Sequence, residues 1–326
     1  MDMYLRRSLL KFAMIGAGGI GCYYAAKLVN AGHDVVFVAR GEHLKALQKE
    51  GLEITHPDFF FSAPVSATDI QGLCNDYNGN DFDLLILASK GSTTSSIMDQ
   101  MKPWLDACDT PVLSIQNGVM NEGIIANAVG LKRTIGGLAI RIGAHVLEPG
   151  KIEATGKAQI DFGAWPSESA NPQLKDFLCE LGSVFDSADI PNQHYEDVSY
   201  ALWRKLLINN AINPITALTM KDTQTVTKDP VLKQAVYKIM QETARAARCA
   251  NVNMTEDDVA EMFKLICEFD AIKTSMLVDR EKGRPMEIQE ICGPVIDYCR
   301  QAGEPATTTE LICHLLQHAS DQMIEA

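Results

Sequence analysis

The stretch Phe12-Ala13-Met14-Ile15-Gly16-Ala17-Gly18-Gly19-Ile20-Gly21 decides the fold. Four apolar residues of strand character run directly into a G-x-G-x-x-G pattern at Gly16, Gly18 and Gly21. Ile20 to Asn30 then reads as a helix, with Gly32 just past its last turn. Val35-Val36-Phe37-Val38 is the next strand. The glycines therefore sit in a strand–turn–helix–strand unit of about 30 residues, the context that turns a weak motif into a dinucleotide-binding one. The first glycine permits a tight turn, the second lets backbone approach a pyrophosphate, and the third lets helix and strand pack closely. The helix start offers unpaired N–H groups and a positive dipole end to phosphate. Gly16, Ala17, Gly18, Gly19, Ile20 and Gly21 are the expected phosphate cradle.

The end of the second strand selects the cofactor. A site for NAD usually has an acid there, against the ribose hydroxyls. Here Arg40 holds the place, and a guanidinium suits a 2′-phosphate through paired hydrogen bonds. The expected cofactor is NADP(H), the competing reading being a solvated arginine beside Glu42 and His43. Two more apolar runs, Leu84–Leu87 and Val112–Ile115, extend the parallel sheet. Each is followed at its carboxyl end, where open α/β sheets bind ligands, by a polar candidate: Lys90 and Asn117. Each could equally be an ordinary loop residue, Asn117-Gly118 being a common turn dipeptide. Segment 134–163, rich in glycine and β-branched residues, is expected to add strands that close this domain.

Beyond Pro191 the pattern becomes helical, with Asp229-Pro230, Thr255 and Thr308 as helix-start signals and Gly303 as a stop. Pro285 is expected to open a helix that carries Glu287 in its first turn. The expected fold is α/β: an N-terminal Rossmann-type dinucleotide-binding domain over residues 1–190, then an all-helical domain over 191–326. A chain of 326 residues fits two domains, and 46% hydrophobic content excludes wholesale disorder. The net charge of -13 argues against nucleic acid as a partner. No apolar run is long enough to span a membrane. Nine cysteines form no C-x-x-C pair, which argues against zinc and thioredoxin chemistry and for reduced thiols in a cytoplasmic protein. Arg6-Arg7-Ser8-Leu9-Leu10 is faintly like a twin-arginine export signal, but a strand and glycine loop follow instead of a signal's apolar segment. No heptad or large apolar stripe announces an interface, which leaves room for a homodimer without specifying one.

Within the helical half, Lys205, Asn209 and Asn213 recur every four residues and would form one polar stripe on a helix. The stripe lies among Leu202, Leu206, Leu207, Ile208 and Ile212. Asparagine is a poor mid-helix residue, and buried polar groups are costly without partners, so a functional stripe is favoured over a solvent face. Ser275 and Glu287 form a later polar set; on spacing alone Glu287 could equally serve the helix dipole.

These pieces together resemble the ketopantoate reductase (2-dehydropantoate 2-reductase) family. The resemblance rests on Gly16 to Gly21, Arg40, Lys90, Gln116-Asn117-Gly118, Trp203-Arg204-Lys205 through Asn213-Pro214, Thr274-Ser275-Met276 and Glu287-Ile288, in the family's order over most of the chain. It implies Lys205 as catalytic acid and Glu287 as its companion in catalysis. It implies Asn117, Asn209, Asn213 and Ser275 as substrate ligands, Asn117 also bordering the cofactor, and Arg40 and Lys90 as NADP contacts. No metal is implied. The implied reaction is NADPH-dependent reduction of the C2 carbonyl of 2-dehydropantoate to give pantoate, a step of pantothenate biosynthesis. Gln289 and Cys292 depart from the family's usual Asp and Asn, which keeps open a paralogue acting on another 2-oxo acid. A non-catalytic NADP(H) sensor would not need Lys205, Asn209 and Glu287 together.

Overall fold

The computed structural model describes residues 9–324, with side chains to residue 320. Arg6 and Arg7 lie outside the described residues. The strands are β1 (Lys11–Ile15), β2 (Asp34–Val38), β3 (Leu52–His56), β4 (Phe59–Ala63), β5 (Ser66–Thr68), β6 (Leu84–Leu87), β7 (Val112–Ser114), β8 (Thr134–Ile140), β9 (Gly143–Glu148), β10 (Lys151–Thr155), β11 (Gln159–Ala164) and β12 (Asn192–His194). The α-helices are α1 (Gly19–Asn30), α2 (Gly41–Lys49), α3 (Ile70–Asp76), α4 (Thr94–Leu105), α5 (Asn121–Val129), α6 (Lys175–Ser187), α7 (Val198–Thr219), α8 (Thr223–Lys228), α9 (Pro230–Cys249), α10 (Glu256–Cys267), α11 (Ser275–Glu281), α12 (Ile288–Gln301) and α13 (Thr307–Ile324).

The chain divides into two compact units. One holds residues up to Gln116 together with Asn121–Val198; the other holds Asn117–Met120 and the chain from Ser199 onward.

In the first unit an eight-stranded sheet runs β12-β11-β8-β7-β6-β1-β2-β5. All neighbours are parallel except β11 and β8. Apolar side chains on its central strands explain it, because both faces are covered. Phe12, Met14, Phe37 and Ile86 pack in one core with Cys22 and Tyr24 of α1 and Leu181 of α6. Ala13, Ile15, Val36 and Leu85 pack in the other with Ile97, Met101 and Leu105 of α4. Strand order reverses between β1 and β6, the switch point beside which dinucleotides bind in such sheets.

Segment 134–163 behaves only partly as expected. β8 and β11 join the large sheet, whereas β9 and β10 leave it for a separate four-stranded sheet of order β4-β3-β10-β9. The small sheet was not anticipated, although Leu52 to His56 carries the alternating burial of a one-faced strand.

The second unit is helical. α9 packs against α8, α10, α12 and α13. Asp229 caps α9 through its side chain, with Pro230 in the first position. Thr255 and Asp258 form a reciprocal capping box at α10. Across the interior, the buried Glu242 of α9 accepts hydrogen bonds from the Thr308 and Thr309 backbone N–H groups, capping α13 from another helix. One expectation is corrected: the helix after Pro285 starts at Ile288, and Glu287 stands just ahead of it as the capping residue. Pro285 therefore belongs to the connection, where its fixed backbone angle and missing N–H cost nothing. No helix among the described residues is long and apolar enough to cross a membrane.

Candidate active site

The glycine loop follows β1 as a backbone device. Gly16 and Ala17 donate to the Val38 carbonyl at 3.0 and 2.9 Å, tying the turn to the end of β2. Gly16 has φ +94°, and a Cβ there would meet the Ser89 backbone nitrogen at 2.5 Å. A Cβ on Gly21 would lie 2.4 Å from the Gly16 carbonyl oxygen, and one on Gly19 2.4 Å from that of Ala144 in β9. Gly18 differs: it caps α1 with φ -85°, and nothing of the protein lies within 4 Å of its Cβ position. Three glycines are thus required by the chain itself, and the fourth leaves a gap at the start of a helix. Open space at a helix start, where N–H groups lack intrahelical partners, suits a phosphate group.

Arg40 is exposed at the start of α2, two residues beyond β2. The neighbours that complicate its charge are engaged elsewhere. Glu42 accepts from Lys45 at 2.7 Å. The Nδ1 of His43 accepts from the Gly150 N–H at 3.1 Å, and burial lowers the pKa of the ring while a bond to the Ala17 backbone opposes that. Lys90 is exposed just after β6 and precedes a short 3-10 turn.

Sequence reasoning quoted Gln116 without giving it a role. It is buried, and its amide nitrogen donates to the Ser89 carbonyl at 3.0 Å and to Thr94 Oγ1 at 2.9 Å. Thr94 in turn donates to Asn121 Oδ1 at 2.9 Å. This network joins the loop carrying Lys90 to the strand end that precedes Asn117. A glutamine at the end of an apolar strand was the available signal, since a buried amide must find partners.

In the second unit three residues remote in sequence meet. Lys205 Nζ donates to Asn117 Oδ1 at 3.0 Å, and Asn117 Nδ2 donates to Glu287 Oε2 at 3.1 Å. An ammonium on one side and a carboxylate on the other fix which way the amide points, because the reverse would oppose donor to donor and acceptor to acceptor. Packing supports the arrangement. Trp203 of α7 meets Tyr298 of α12 edge to face at 5.8 Å between centroids, joining the helix of Lys205 to the helix that Glu287 caps. Arg204 pairs with Glu261 of α10 at 2.6 Å.

Asn209 and Asn213 follow Lys205 at one and two turns along α7, the first half-buried and the second buried. The adjacent Asn210 belongs to the interior and donates to Thr243 at 2.9 Å. Ser275 is the exposed first residue of α11. Its neighbour Thr274 meets Thr216 of α7 hydroxyl to hydroxyl at 2.7 Å, which fixes Ser275 close to the Asn213 end of the stripe. Gln289 and Cys292 instead line a groove of about 210 Å³ with Ile296 of α12 and Glu310, Cys313 and His314 of α13.

Comparison with known proteins gives the chain its family. The family model for ketopantoate reductase PanE/ApbA matches residues 12–167, and the model for its C-terminal region matches 197–320. The 2-dehydropantoate 2-reductase of Pyrococcus abyssi is 28% identical over 308 residues, covering 94% of this chain and 97% of its own. The crystal structure of 2-dehydropantoate 2-reductase from Geobacter metallireducens superposes with a TM-score of 0.82 at 27% identity, over 95% of this chain and 100% of that one. A D-mandelate dehydrogenase with NADH and anilino(oxo)acetate shares the fold, with a TM-score of 0.86 at 19% identity over 97% of this chain and 100% of its own. By these matches the chain belongs to the ketopantoate reductase family of oxidoreductases.

Proposed function

We propose that this protein reduces 2-dehydropantoate to pantoate with NADPH, the reduction step of pantothenate biosynthesis. The observation that carries the reading is the Lys205–Asn117–Glu287 chain, a positioned acid whose orientation is set by an amide and a carboxylate. The glycine loop with the gap at Gly18 would hold the pyrophosphate, Arg40 the 2′-phosphate, and Lys90 and Asn117 would border the cofactor. When bound, the reduced nicotinamide supplies the hydride that adds to C2 of the 2-oxo acid.

Lys205 does the rest of the chemistry. Its ammonium stabilises the negative charge that develops on the C2 oxygen and then gives up a proton to form the hydroxyl. Glu287, acting through Asn117, holds the ammonium in one direction. Ser275, with Asn117, takes the substrate carboxylate, and Asn209 and Asn213 take the distal hydroxyl. Gln289 and Cys292 line the groove beside α13, and neither has a hydrogen bond to the Lys205–Asn117–Glu287 chain, so their departure from the family pattern leaves that chain intact.

The test mixes the purified protein with 2-dehydropantoate and either NADPH or NADH, following loss of reduced-nicotinamide absorbance. Rapid turnover that prefers NADPH is expected, with the preference lost in Arg40→Ala. NADPH binding without turnover would refute the substrate and leave a reductase of another 2-oxo acid. Equal use of NADH by the wild type would refute the role of Arg40.

A further inference from the structure

We propose that His314 and His318 on α13 form a binding site for one first-row divalent cation of the zinc, nickel and copper group. The two residues are four apart on one helix and therefore share a face. Both are exposed. Their Nε2 atoms lie 3.2 Å apart, and the ring centroids 4.7 Å.

That nitrogen separation is the bite of a chelate. Metal–imidazole bonds are about 2.0–2.1 Å, so two nitrogens 3.2 Å apart subtend about 100–106° at a shared ion, close to the tetrahedral angle. In the absence of metal, one ring donates its Nε2–H to the other ring's Nε2. When a cation binds, the donor ring carries its proton on Nδ1 instead, and both Nε2 lone pairs point at the ion. The contact that holds the rings together as neutral partners thus already sets the nitrogen separation of a bidentate ligand, and a modest swing of the two exposed rings turns both lone pairs to a shared ion.

Imidazole selects the cation class. Zinc, nickel and copper take nitrogen ligands readily, whereas calcium and magnesium require oxygen. Among the described residues no third His, Cys, Asp or Glu joins the pair as a ligand. Glu310 stands one turn before His314 and pairs with Arg300 at 2.9 Å, while Asp297 faces the same guanidinium at 3.5 Å. Two carboxylates against one arginine leave this rim net negative, which favours a cation.

Untagged full-length protein is titrated with nickel chloride at pH 8, with binding followed by calorimetry and Tm by thermal unfolding. His314→Ala, His318→Ala and the double variant are run in parallel. The site predicts one equivalent bound by the wild type, with affinity at least tenfold weaker in either single variant. It also predicts a rise in wild-type Tm on metal addition that the double variant lacks, because a clip across one turn stabilises only the folded helix. Unchanged nickel binding in the double variant would assign the metal to the cysteines and overturn the site, as would no binding to the wild type at millimolar nickel. Both substitutions lie on an exposed helix face, so unchanged metal-free Tm and NADPH affinity report that the variants fold.

Discussion

The glycine loop and the Lys205 chain are built in opposite ways. The loop uses six consecutive residues and almost no side-chain atoms; its groups are backbone N–H donors and the empty volume at Gly18. The Lys205 chain uses three side chains separated by 88 and 170 positions, and each contact is a side-chain hydrogen bond. A backbone site is sensitive to added volume, and a side-chain site to lost functional groups. Substitutions should therefore fail in different currencies at the two places.

The largest expected effect is at Lys205. Lys205→Ala should lower kcat by about 10²- to 10⁴-fold, the usual contribution of a positioned acid, with NADPH affinity nearly intact. Equal losses in both, measured by steady-state kinetics and fluorescence titration, would mean that the two regions are not separable.

Next comes a contrast inside the loop. Gly18→Ala should leave Tm close to wild type and weaken NADPH binding, since its Cβ meets nothing of the protein and its φ is ordinary. Gly16→Ala should lower Tm clearly, because φ is +94° and Ser89 stands at 2.5 Å. If both variants lose stability alike, the gap at Gly18 is not a ligand space.

The smallest effect concerns pH. Burial lowers the pKa of His43, whose neutral Nδ1 accepts from Gly150 and whose ring also bonds Ala17 in the loop. A histidine depressed on folding contributes stability above its ordinary value of 6.5, and the contribution is lost as pH falls through the lower folded value. Tm should thus decline modestly below pH 6.5, and His43→Gln, which can accept but does not titrate, should flatten the decline. An identical decline in that variant would place the titrating group elsewhere.

The same division explains what the sequence made legible. The loop could be read because its information is contiguous: a strand, a glycine pattern, a helix and Arg40 lie within thirty residues. The stripe on α7 could be read because helical spacing is local. That Asn117 would lie between Lys205 and Glu287 could not be read, since no local rule relates positions 117, 205 and 287; the family resemblance, not spacing, put them in one site. Gln116 was passed over because its partners, Ser89 and Thr94, stand more than twenty positions away. The small sheet was missed because its strands come from two distant segments, 52–63 and 143–155.

Gly19 shows what that sheet demands of the chain. The dinucleotide pattern does not require glycine at this position, yet the Ala144 carbonyl of β9 leaves no room for a methyl group. A strand late in the domain thus constrains a residue 125 positions upstream (144 − 19). Without β9, a methyl group at that position would meet none of the atoms that now exclude it. With β9 in place, glycine at position 19 is a demand of the small sheet, lodged inside a motif that serves another purpose.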